Sequence, residues 1–211
     1  MQYIVYVILK LFIHQSLKMK TILYVYGLGG SPNGETKKAL EQITGYNVLS
    51  VEYDQNNFAE GMKTLEEFVE DKKIDCVVGS SLGAYFALTL EGVCRVVINP
   101  CYDPSTELRM LGVADDVVAT YPTHFSNIDC TEDRNLTTAL FADDDELFGD
   151  KYVNQFAHEF EGKIHRFHGH HHVELEKDIP NIKEIIDAAC DRAASYSHYF
   201  SAKDNIPLWN E

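Results

Sequence analysis

The chain has 211 residues, 45% hydrophobic and 24% charged, which fits one globular domain with a single core and excludes disordered, collagen-like and low-complexity classes. Eighteen Lys and Arg against thirty-three Asp and Glu give a formal net charge of −15, a field that repels phosphate backbones and anionic lipid headgroups, so neither nucleic acid nor membrane is an expected partner. Five cysteines (Cys76, Cys94, Cys101, Cys130, Cys190) are odd in number and hold no Cys-x-x-Cys pair, which reads as a reduced, cytoplasmic chain without a zinc or dithiol site.

Residues 1–18 are apolar but broken by Lys10 and His14. They lack a basic start and a small-residue cleavage site, and they fall short of the about 20 apolar residues a spanning helix needs. Met19 stands directly before a strand pattern, so 1–18 are expected to be an upstream extension, 19–200 a single domain and 201–211 a tail.

From Thr21 onward short apolar runs alternate with amphipathic stretches, the mark of β-α units on a mostly parallel sheet of about six strands with helices on both faces. Thr21–Tyr26 reads as the first strand and Pro32–Ile43 as a helix stopped at Gly45. Asn47–Tyr53 is the second strand. A helix follows whose Phe58, Met62, Leu65 and Val69 make one buried stripe. Ile74–Gly79 is a continuous apolar strand of the kind buried on both faces, and Leu82–Leu90 is a helix apolar nearly all round, so both belong at the centre. Arg95–Asn99, Leu136–Ala142 and Lys163–Phe167 supply three further strands. Between the first two of these, 113–135 is irregular and reads as an insertion over the carboxyl ends of the strands, where ligands of such sheets bind. Ile182, Ile185, Ile186 and Ala189 mark a closing helix with Pro180 in its first turn.

Gly79-Ser80-Ser81-Leu82-Gly83 is a G-x-S-x-G motif between the most buried strand and the most buried helix. A serine on that sharp turn has its Oγ lifted clear of the sheet, and small residues at 79 and 83 let strand and helix approach. The bland alternative is a serine that merely caps the helix. A nucleophilic serine needs an oriented imidazole. His168-Gly169-His170-His171-His172 follows the last strand at the same sheet edge and supplies candidates. The acid that orients the imidazole is expected after an earlier strand, where Asp143, Asp144 and Asp145 lie, with Asp103 as a fallback. The order serine, acid, histidine is that of the nucleophile-elbow hydrolases rather than of chymotrypsin or subtilisin. An oxyanion site needs the N–H after the nucleophile, on Leu82, and another from a loop after an early strand. Tyr26-Gly27-Leu28-Gly29-Gly30-Ser31 is such a loop, and it matches neither a P-loop nor a G-x-G-x-x-G fingerprint.

These segments together, YVYGLGGSP, IDCVVGSSLGAYFA, INP, FADDDELFGD and FHGHHHVELE, resemble the small, nearly lidless α/β-hydrolase esterases of the YqiA type over most of Thr21–Ala189. In that family the first strand ends in a His-Gly dipeptide; here Gly27, Leu28 and Ser31-Pro32 resemble those positions, and Tyr26 replaces the histidine. The resemblance implies Asp145 as the acid, His171 as the base, and the N–H groups of Leu28 and Leu82 beside Gly27 as the oxyanion donors. It implies an α/β-hydrolase fold without the first two strands of larger versions. It also implies an esterase or thioesterase for small or short-chain acyl substrates, needing no cofactor, with no oligomeric state implied. Two other expectations compete with it. One is a binding protein that keeps the fold with a dead triad; the other is a metal site built from His168, His170, His171, His172 and Asp143–Asp145.

Overall fold

The computed structural model describes residues 19–122, 134–160 and 163–203; the expected extension at 1–18, most of the tail and residues 123–133 lie outside them. Six strands form one sheet: β1 Thr21–Val25, β2 Asn47–Leu49, β3 Cys76–Ser80, β4 Arg95–Ile98, β5 Thr137–Ala142 and β6 Lys163–Phe167. Their order is β2-β1-β3-β4-β5-β6 and every pairing is parallel. All carboxyl ends therefore share one edge. That consequence of topology gathers loops distant in sequence into one place.

The helices are α1 Glu35–Thr44, α2 Phe58–Asp71, α3 Leu82–Thr89, α4 Pro104–Met110, α5 Asp115–Val118, α6 Val153–Phe160 and α7 Leu175–Lys203. They complete a three-layer αβα sandwich, with α1 packed along α7 and α2 joined to α3 by the rings of Phe58 and Phe86, 5.3 Å apart. The centre is what the sequence expects: β3 is buried but for Ser80, and Leu82 through Leu88 of α3 are buried without interruption. Gly79 and Gly83 permit this contact. A Cβ on Gly83 would stand 2.2 Å from the Val25 carbonyl oxygen, and one on Gly79 would stand 2.6 Å from the Gly83 oxygen.

Three expectations are corrected. The second strand stops at Leu49 rather than Tyr53, because at the sheet edge its continuation has one neighbour only and turns away to hydrogen-bond β1 through the Ser50 hydroxyl. The closing helix begins at Leu175, so Pro180 lies inside it rather than in its first turn. The stretch after Val113 is not irregular throughout. Asp115–Val118 is helical, and Tyr121 docks its ring on Phe58, Tyr85 and Phe86 and donates its hydroxyl to the Gln55 carbonyl. No helix among the described residues is long and apolar enough to cross a membrane.

Candidate active site

Ser81 is the hinge between β3 and α3. Its backbone sits at φ 52°, ψ −123°, a region L-residues avoid and one that stores strain at functional turns. Ser81 makes no side-chain cap bond to the helix, which removes the capping alternative. The turn is fixed by backbone bonds: the Ser81 N–H donates to Ile98 O, and the Ser81 carbonyl accepts from the N–H groups of Ala84 and Cys101, each at 3.0 Å. Its hydroxyl oxygen is left 2.9 Å from Nε2 of His171.

His171 lies four residues past the end of β6, and Asp145 three past the end of β5. The β5–β6 ladder continues beyond both strands, with Asp143 N–H donating to Phe167 O and Asp144 N–H to Gly169 O, so the two loops emerge in register. Nδ1 of His171 lies 3.1 and 3.0 Å from the two Asp145 carboxylate oxygens. A carboxylate only accepts, so this contact places the proton on Nδ1 and leaves Nε2 to accept from the Ser81 hydroxyl. The His171 and Asp145 side chains are 1% and 3% exposed, which keeps the pair out of competing water. Burial alone would raise the Asp145 carboxyl, but the His171 ring and the Phe148 and Leu147 N–H groups hold it below its ordinary value.

The neighbouring candidates are engaged elsewhere. Asp143 pairs with Arg166 at 2.9 Å and His168 at 3.0 Å, His170 faces the Asp144 carbonyl, and Asp103 caps α4 through the Thr106 N–H. The expected alternative of a His and Asp metal cluster is thereby corrected: among the described residues these histidines and aspartates do not converge on a common point. Each follows an independent backbone direction around a tight turn.

On the other side of Ser81 runs the glycine loop. A Cβ on Gly27 would stand 3.1 Å from the Ser81 Cβ and 3.7 Å from its Oγ, so the glycine lets the loop lie against Ser81 without crowding it. The Gly27 carbonyl accepts from Gln55 Nε2 and from the Gly30 N–H. Because the peptide is trans, that pinned carbonyl turns the Leu28 N–H to the opposite side. Gln55 also accepts from Gly29 N–H, while the Tyr53 hydroxyl donates to Tyr26 O. Tyr26, where the resembled family has histidine, is buried and packs its ring 4.9 Å from that of Tyr53, so the loop keeps its packing. A cavity of about 460 Å³ lies beside this loop, lined by Tyr26, Gly30, Tyr53 and Gln55 among others. Ser81, Asp145 and His171 do not line it.

Sequence reasoning passed over three residues that hold the arrangement. Asn99, at φ 44° and 1% exposed, donates from Nδ2 to the carbonyls of His170 and His171 and accepts the Ala142 N–H on Oδ1. Glu146 accepts the His171 N–H. The edge of the Phe148 ring meets the imidazole of His171 at 4.7 Å. The one available signal for Asn99 is a polar residue closing the apolar run RVVIN.

Residues 21–187 match the uncharacterised protein family UPF0227. The chain belongs to that family. This UPF0227 chain is similar in structure to Est1E from Butyrivibrio proteoclasticus, at 14% identity and TM-score 0.61 over 82% of this chain and 88% of that one. It is similar to the ydeN gene product from B. subtilis at 14% identity and TM-score 0.60, covering 81% and 98% of the two chains. A monoacylglycerol lipase from Paleococcus ferrophilus matches at 16% identity and TM-score 0.56, covering 82% and 94%. At these identities the likeness establishes the fold: the UPF0227 chain has the α/β-hydrolase fold. No curated protein sequence matches it.

Proposed function

We propose that the protein is a serine hydrolase that cleaves carboxylic ester or thioester bonds of small or short-chain acyl substrates. The observation that carries this reading is the buried hydrogen-bonded line from Ser81 Oγ through His171 to Asp145, beginning at a strained strand-to-helix turn. In the proposed reaction the Ser81 oxygen attacks the acyl carbonyl while His171 Nε2 takes its proton. The imidazolium that forms is stabilised by the ionised Asp145. The tetrahedral oxyanion is received by the N–H groups of Leu28 and Leu82, the second at the start of α3 where no helical partner exists. Collapse expels the alcohol or thiol with the proton from His171, and water activated by the same nitrogen releases the acid. The names of the structural neighbours, an esterase domain and a monoacylglycerol lipase among them, support a hydrolytic role.

The test is labelling of the full chain by a fluorophosphonate, read by intact mass, beside turnover of a soluble short-chain chromogenic ester. One adduct and measurable turnover are expected, both lost in Ser81→Ala. A folded protein that neither labels nor turns over supports the binding-protein alternative. Faster hydrolysis of a long-chain emulsion than of the short ester would overturn the substrate class.

A further inference from the structure

At the edge of the sheet opposite Ser81, where strands begin, three cysteines meet. Cys76 opens β3, Cys94 directly precedes β4, and Cys190 comes from α7. The pairing of Val77 with Arg95 places Cys76 and Cys94 side by side on adjacent strands, and the Cys94 carbonyl accepts the Val77 N–H at 2.8 Å. All three are free and buried, at 1%, 7% and 8% exposure, and their sulfurs lie within 4.8 Å of one another. The separations in sequence, from 76 to 94 to 190, conceal the cluster from any reading of cysteine spacing.

Inert buried thiols commonly sit among aliphatic side chains; these have a cation near them. Arg192, two residues beyond Cys190, bonds Thr138 Oγ1 through one nitrogen and leaves Nε buried without a partner.

A three-coordinate ion with metal–sulfur bonds of about 2.3 Å sets its sulfurs about 4.0 Å apart, so each sulfur here needs to move inward by about half an ångström at most. Three thiolates and a monovalent ion carry a net charge of −2, which the Arg192 guanidinium offsets in part; soft sulfur donors select such ions. We propose that Cys76, Cys94 and Cys190 form a binding site for one soft monovalent d¹⁰ metal ion of the Cu(I) type, held by three sulfurs. Binding forms three metal–sulfur bonds and releases the thiol protons to solvent, with no change of oxidation state. It ties β3, β4 and α7 together at the sheet edge away from Ser81, and an ion that binds only the folded chain stabilises it.

The test is anaerobic titration of the full reduced chain with Cu(I) held by a chromophoric chelator. One equivalent per chain is expected to be withdrawn, with Tm raised on loading. Cys94→Ser and Cys190→Ser each weaken the withdrawal by about tenfold or more, since loss even of an outer partner of a metal site costs that much. Cys130→Ser and the double change His168→Ala with His172→Ala leave it as in the parent. No withdrawal by folded parent protein, or withdrawal unchanged by the two cysteine substitutions, overturns the proposal. X-ray absorption of the loaded parent protein decides independently of how the variants fold: a shell of sulfur alone supports the site, and nitrogen or oxygen ligands refute it.

Discussion

Replacing Asn99 with alanine tests whether the histidine loop is held from beneath. The side chain accepts the Ala142 N–H at 2.8 Å and donates to His170 O at 3.1 Å and His171 O at 3.0 Å. Alanine removes all three bonds and leaves the Ala142 N–H and the His171 carbonyl buried without partners, each costing about 1–3 kcal/mol. The backbone at φ 44°, which asparagine tolerates, adds about 1 kcal/mol for alanine. Relaxation of the loop returns part of this, so a net loss of about 3 kcal/mol is the working figure. At about 2–4 °C per kcal/mol for a domain of this size, Tm falls by about 6–12 °C. Release of the His171 carbonyl lets the ring leave the Ser81 line, which lowers kcat on the short ester by about 10- to 100-fold with KM little changed. Asn99→Gly relieves the backbone cost alone and regains about 2–4 °C over alanine. Thermal unfolding and steady-state kinetics of the three proteins read all of this. A Tm for Asn99→Ala within about 2 °C of the parent, with kcat unchanged, would refute the reasoning.

Gly83→Ala forces a Cβ to 2.2 and 2.4 Å from two backbone oxygens of the β1 end; a loss of about 3 kcal/mol or more is expected in thermal unfolding, and a parent-like Tm contradicts the close packing of α3 on β1. Gln55→Ala removes one of the two bonds that pin the Gly27 carbonyl and frees the Gly29 N–H, and about tenfold lower kcat at nearly unchanged Tm is expected if that loop carries an oxyanion donor; unchanged kcat removes the loop from the reaction. Asp145 has a folded-state value below the about 3.9 of an unfolded aspartate. Its contribution to stability is therefore fully present above that value and lost as pH falls through the folded one. Asp145→Asn has none to lose, so its Tm deficit against the parent is largest near neutrality and narrows below about pH 4. A deficit constant from pH 7 to pH 3 would show that the charged form is not what the fold favours.

The centre of the fold was legible because two signals coincide there: an apolar run with no polar interruption, and glycines at 79 and 83 whose missing side chains the structure shows to be steric necessities. Which of three consecutive histidines faces Ser81 was legible only through the family resemblance. Residue type cannot separate neighbours on a turn; the Asn99 and Glu146 bonds to the backbone at 170 and 171 do so. Gln55 carried no signal, because it acts on the glycine loop from 28 residues away. The cysteine cluster was hidden for a related reason. One member opens β3, one directly precedes β4 and the third lies on the last helix, and a parallel sheet brings such segments together without any local spacing to betray it.

Ser81 and Asn99, the described non-glycine residues with positive φ, follow adjacent strands at the same edge. Their positions explain how the backbone at the site is held. Each stands where a parallel strand must turn sharply into a loop or helix, and each turn is locked to the next strand by a backbone bond, Ser81 N–H to Ile98 O and Asn99 N–H to Leu140 O. Strain of about 1–3 kcal/mol at such a residue persists only where surrounding packing over-determines the backbone. Here β3, β4 and β5 are buried on both faces. The hydrophobic centre thus holds Ser81 Oγ outward and Asn99 inward at once, one toward the imidazole and the other under the loop that carries it. Loosening either turn should displace the same ring.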